Sequence, residues 1–398
     1  MKLKAPGAAD TTTLLTVNWF SAICLAAFLA LNASSAVAKT AAGGLNPAEK
    51  WVVAQVRAGE IADLSKQFPD KEKDKRKLSA HFLEALLTGT LPDVKPHRHG
   101  VRIIGAIIDE PVDLENAQIP CEVWLEHCQF NASTNFNGGS FAGTISFENS
   151  AFKEDASFNS MKVGGNAFFN DAVFEGPVLF GGADFASQFV ANGAQFQNEE
   201  QGANFNGMKV RGAAFFKAAV FEGAVNFVGA DFASDLHMNG AKFQNKEQGA
   251  SLSGMKVGGY AFFNDAVFEG PVNFGYSDFA WLDLSSASSP KVAAQLYMQG
   301  MSYKYIRAAP EEPESHTALL KLAGQSAYTA DVYSNLEKFF LARVTAPMQT
   351  KLSLQEKFGS EKNTFAAVTG LGGYAAGCSA SSLAMGVNRG GLSFPVHF

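Results

Sequence analysis

The residues of this chain that recur at regular spacing and could do chemistry are carboxylates. Glu175, Glu222 and Glu269 hold one equivalent position in a repeated segment, and Asp184, Asp231 and Asp278 hold another. Carboxylates work as a catalytic acid and base when their surroundings drive their pKa values apart, which takes one asymmetric constellation. Copies in identical surroundings do not make one, so this ladder reads as a solvated face. His97 and His99 in "KPHRHG" are the next candidates. Two histidines without a Cys or further His at ligand spacing do not select zinc, and the segment reads as a turn. No P-loop, G-x-S-x-G, dinucleotide fingerprint or His/Cys cluster appears. The expectation is a chain with no catalytic residues, no cofactor-binding residues, no metal ligands and no cofactor.

What positions these carboxylates is a beat of inward-sized apolar residues at alternating steps of five and six. It runs Ile103, Ile108, Leu114, Ile119, Leu125, Phe130, Phe136, Phe141, Phe147, Phe152, Phe158, Val163, Phe169, Phe174, Phe180 and Phe185, and continues to Leu284. Neither a helix nor a flat strand gives that count. A chain that turns a corner after each short strand does, and Gly138, Gly143, Gly176, Asn159 and Asn170 supply the corners. The residue two before each beat is usually small or aliphatic, as in Ala106, Val123, Cys128 and Ala156, so it faces the same interior. Four faces per coil, at 5+6+5+6 residues, predict a parallel β-helix.

A longer repeat overlies the beat. Segments opening "MKVGG", "MKVRG" and "MKVGG" begin at Met161, Met208 and Met255, 47 residues apart. Two coils take up 44 of these, and the other three fall where the step lengthens to nine, Phe196 to Phe205 and Phe243 to Leu252. There "QNEEQG" and "QNKEQG" read as polar bulges that leave the core intact. Core volume is conserved across copies: Phe189 with Ala191 in one becomes Leu236 with Met238 in the next.

Runs such as "ANFNGMKV", "DAVFEG" and "GADFAS" resemble the pentapeptide-repeat family, in its central-Phe variant with an 11-residue double beat, over about 180 of 398 residues. The flanks "GVRIIGAIIDEPVDLENAQIP" and "YTADVYSNLEKFF" are similar to segments around such repeats in bacterial exported proteins of unknown function. The resemblance implies an all-β core, a right-handed parallel four-sided β-helix with flanking α-helical caps, and a function exercised by binding.

Of 35 Phe, 25 lie between Phe130 and Phe279, so the aromatic excess belongs to the repeat. A net charge of −6 without a basic stripe argues against nucleic acid as a partner. Lys2 and Lys4, the apolar run Leu14–Leu31 and Ala36-Val37-Ala38 read as a signal peptide over 1–38, cleaved before Lys39; the alternative is an uncleaved inner-membrane anchor. Residues 39–100 form an N-terminal helical cap: Asn46 caps, Pro47 opens the first helix, Glu49 completes a capping box, a charged linker "DKEKDKRK" follows, and Ser79 caps a helix turning Leu83, Leu86 and Leu87 inward. The repeat domain spans 101–304, its last coil completed by "AAQLYMQGMSYKYI". Residues 305–350 hold an acidic linker "APEEPES" and two helices, about Thr317–Ala323 and Ala330–Arg343, and 351–398 form a poorly ordered tail. Cys121 should point outward and Cys128 inward, which disfavours a disulfide between them.

These features predict a periplasmic or secreted, non-enzymatic scaffold that binds an unknown protein or a cell-wall polymer, or associates with itself; membrane contact requires the anchor. A polysaccharide-acting β-helix enzyme would need a unique Asp/Lys/Arg/His cluster, and an acidic DNA mimic that binds topoisomerases would need a cytosolic chain. One column of residues just before a beat reads Trp124, Ser146, Phe168, Val190, Phe215, His237 and Phe262. Trp124, Phe168, Val190, Phe215 and Phe262 make it a large, apolar, outward stripe, covered either by the C-terminal helices or by a partner.

Overall fold

The computed structural model describes residues 44–286, 296–309, 312–324 and 330–341. The expected signal segment and the 351–398 tail lie outside the described residues.

All strands of the repeat pair in parallel with the strand one coil away, 22 residues on in a plain coil (Ala151↔Val173, Phe152↔Phe174) and 25 across a bulge (Val178↔Ala203). Four short strands per coil build three sheets of 17, 8 and 9 strands, the largest taking in two adjacent faces. The chain is a parallel β-helix of about nine coils.

Every beat residue from Ile103 to Phe185 is buried, and the phenyl rings stack from coil to coil. Phe130, Phe152, Phe174 and Phe196 form one column with centroids 4.8, 4.9 and 5.2 Å apart and planes within 9° of parallel. Neighbouring columns meet edge to face, as Phe158 does with Phe169 at 80°. Both arrangements suit the ring quadrupole and contribute about 0.5–1.5 kcal/mol per pair beyond burial. The Phe189/Ala191 swap keeps one column unbroken: Phe169 stacks on Phe189 at 5.4 Å and Phe189 lies 5.3 Å from Phe216, although Phe189 sits two residues ahead of the usual position.

Buried hydroxyls serve the interior backbone. Ser150 Oγ donates to Leu125 O (2.7 Å) and accepts from Cys128 N (2.9 Å), and Ser277 does the same between Leu252 O and Met255 N. The nine-residue steps close on an asparagine: Asn198 Oδ1 accepts from Gln201 N (2.7 Å), and Asn245 Oδ1 from Gln248 N (2.7 Å). Gly202 ends the first bulge at φ +66°, where a Cβ would meet Ala224 O at 1.9 Å.

The N-terminal cap contains more than helices. After α1 (Pro47–Ala58), Ala62–Asp63 form a short strand parallel to Ile103–Ile104, and Lys77 bridges to Ile107. The cap thus extends the ladder, occupying the edge that would otherwise template aggregation. Helix α2 (Leu64–Gln67) follows, and the charged stretch expected as a linker is a 3₁₀ segment, Asp70–Arg76. It is held because Arg76 turns inward, donating from Nε to Phe68 O (2.6 Å) and pairing with Asp70 (2.8 Å). Helix α3 (Ala80–Leu87) buries Leu83, Leu86 and Leu87, with Ser79 Oγ accepting from Phe82 N. Glu49 accepts from Ser79 N (3.0 Å) and Oγ (2.6 Å), tying α1 to α3. Glu84 Oε1 accepts from Asp113 N (2.8 Å) and so joins the cap to the first coil.

The last coil is completed by Leu296–Tyr297 and Ser302–Arg307. Helix α4 (Glu312–Ala323) begins inside the stretch expected as an acidic linker. Glutamates favour the positive end of a helix dipole and proline is tolerated in a first turn, so this composition is compatible with a helix start. Helix α5 (Ala330–Leu341) sits on the last coil through Phe339 against Tyr303, Asn335 Nδ2 donating to Met301 O (3.0 Å), and Asp331 accepting from Gly300 N (2.6 Å).

Candidate docking surface

The seven residues of the outward column do share one line of register. Trp124↔Ser146, Ser146↔Phe168, Phe168↔Val190, Val190↔Phe215, Phe215↔His237 and His237↔Phe262 are successive partners. Their backbone is fixed by the coil before: Phe147 N donates to Phe168 O, Ala191 N to Phe215 O and Met238 N to Phe262 O, at 2.7–2.8 Å. The pleat turns these side chains away from the core, because the beat residue beside each turns in.

Exposure along the column is uneven. Trp124, Phe168, Phe215 and Phe262 are half-buried, whereas Val190 is 8% exposed and Ser146 2%. Coils lie about 4.8 Å apart, so a small residue between two large ones is covered by them. The contacts that seat α5 run to the last coil.

At its C-terminal end the column becomes a continuous stack of rings. Phe215 lies against His237 (4.7 Å, 8°) and His237 against Phe262 (4.9 Å, 22°). The stack then widens: Phe262 is parallel to Tyr260 (5.5 Å), Tyr260 meets Trp281 (5.2 Å), and Trp281 stacks on Tyr305 (4.6 Å). Tyr260 and Tyr305 are among the most exposed large side chains described, at 45% and 43%. Sequence reasoning missed these three residues. They arise where the corner between two faces straightens, so that Lys256–Phe262, Asp278–Asp283 and Ser302–Arg307 each run through both faces as one strand. The signal for it was the step from Phe279 to Leu284, five residues where the equivalent step from Val257 to Phe263 takes six. One residue fewer leaves too little chain for the corner in Asp278–Asp283, and Lys256–Phe262, which keeps the sixth residue, takes it up as a register shift between Val257 and Tyr260.

Cations border the column at its first ring and again at Phe215. The Arg102 guanidinium lies 5.4 Å from the Trp124 ring centre, and Lys217 Nζ lies 5.5 Å from that of Phe215. Burial, and then Lys217, hold the His237 imidazole below its ordinary pKa. At neutral pH it is an uncharged ring that stacks like its neighbours.

The residues considered for chemistry lie elsewhere. Burial pushes the Cys128 thiol up to about 12, and that of Cys121 is raised by burial too, so neither is a poised thiolate. Both are free cysteines. His97 and His99 stack edge to face (4.5 Å), and His99 Nδ1 contacts Gly59 O (3.0 Å). Among the described residues no group of three or more His, Cys, Asp or Glu is placed to hold a metal ion, and no helix is long and apolar enough to cross a membrane. Glu175 pairs with Lys153, and Glu269 with Lys246 (3.7 Å).

No protein-family model, curated protein or solved structure matches this chain.

Proposed function

We propose that this chain is a non-enzymatic, exported scaffold of the cell envelope, a β-helix of the pentapeptide-repeat type that presents its aromatic column to a protein partner. The observation that carries the reading is the orientation of the rings. From Phe215 to Phe262 they stack along the direction of coil growth, so their faces cover one another and their edges open to solvent. A sugar docks on the open face of a ring. Edges framed by a lysine suit apolar and aromatic side chains of a protein, which favours a protein over a cell-wall polymer. The leader-like N-terminus supports export.

The test is a photo-cross-linking residue in place of Phe262, irradiated in intact cells. The expected result is an adduct of defined mass that disappears in Phe168→Ser/Phe215→Ser, while the melting temperature of that variant is kept. No adduct, or one that survives the double substitution, refutes the assignment.

A further inference from the structure

The face beside the aromatic one carries a different pattern. Its outward residues, in order of coils, are Lys162, Asp184, Lys209, Asp231, Lys256 and Asp278, each the register partner of the next. The aspartates noticed in the sequence are thus interleaved with lysines one coil away. The row is neutral at both ends, with Ser140 before it and Ser302 after it. All six are exposed except the half-buried Asp184, which Arg211 pairs at 3.1 Å.

Six alternating charges in a straight row have a symmetry property. Read backwards, the row shows the opposite sign at every position. We propose that this face is the contact between two copies of this chain, packed face to face and antiparallel about a two-fold axis that crosses the row between Lys209 and Asp231. That axis sets Lys162 opposite the second copy's Asp278, Asp184 opposite its Lys256, and Lys209 opposite its Asp231, so all six positions meet an unlike charge. A parallel arrangement does not do this. The row alongside agrees: Gly164 falls opposite Ala280, Ala186 opposite Gly258, and the one tall residue, Arg211, opposite Ala233. An isologous contact demands this self-complementarity. Coil spacing makes the row about 24 Å long, a narrow contact formed mainly of exposed charges, so the dimer is weak and strongly salt-dependent.

The test is sedimentation equilibrium of the purified protein at low ionic strength, with charge swaps. Lys162→Asp and Asp278→Lys should each weaken the dimer by about tenfold, since each sets two like-charged pairs face to face. Combining them should restore it. The two positions are five coils apart in one chain, about 24 Å, so neither can compensate for the other within a monomer. Salt at about 0.5 M, where the Debye length is about 4 Å, should dissociate the wild type. Thermal melts report whether each variant folds, and Asp184→Lys with Lys256→Asp makes the same test should the first pair fail to fold. A monomer at low salt, a dimer indifferent to the single swaps, or a double swap that does not restore it would overturn the proposal.

Discussion

The ring of Phe152 lies 4.9 Å from that of Phe174, 9° from parallel, and both are 1% exposed. Each is also sandwiched from its other side, Phe152 by Phe130 and Phe174 by Phe196. Phe152→Ala therefore removes a ring with covered faces from a column that cannot collapse without breaking strand register, and should cost about 3–5 kcal/mol in denaturant unfolding. Glu200→Ala, on an exposed bulge, should change stability by less than about 0.5 kcal/mol. Equal losses would contradict the register described above.

Two glycines separate backbone conformation from space. Gly202 and Gly207 have nearly the same φ, +66° and +63°, but a Cβ at Gly202 would meet Ala224 O at 1.9 Å whereas at Gly207 nothing lies within 4 Å. Gly207→Ala should cost about 1–2 kcal/mol, the conformational term alone. Gly202→Ala should cost clearly more, because the bulge has to shift as well. Matching midpoints in urea would show that the bulge is softer than its hydrogen bonds suggest.

The His237 pKa is lowered in the folded chain, so the unfolded chain takes up its proton first as pH falls. The sign follows: stability is unaffected by this group well above about pH 6.5 and is lost as pH drops below that value, towards the lower folded pKa. His237→Phe keeps the stack and removes the proton. Its melting temperature should fall less than that of the wild type between about pH 7.5 and pH 5. Parallel curves would mean that His237 is as well solvated folded as unfolded.

Cleavage before Lys39 predicts an intact mass, for protein isolated from the cell envelope, that corresponds to Lys39–Phe398. A full-length mass with membrane retention would instead establish the anchor.

The interior was legible because each Phe, Leu or Ile that must be buried announces itself by type and by the 5,6 count, and Ala or Val two residues earlier confirms the face. Interactions across 22 residues were harder to see. Comparing like with like across the 47-residue copies finds Asp184, Asp231 and Asp278 as one set and Lys162, Lys209 and Lys256 as another, but not that the two sets alternate one coil apart in space. Trp281 escaped for a related reason, since a column counted in fixed steps cannot register a corner that has lost a residue, and Tyr260 is brought beside it by the register shift after Val257. Ala62–Asp63 carry no periodicity of their own and become a strand only because Ile103–Ile104 offer an open edge.

The duplicated two-coil segment makes the span between the two capped ends a quantised dimension. Each 47-residue copy begins on the same "MKV" strand, so inserting or excising a whole copy leaves every junction chemically familiar. Such an edit moves the helical ends about 9.6 Å apart or together. The distance between the two ends of the coil stack is thus adjustable in fixed increments without redesign of either terminus.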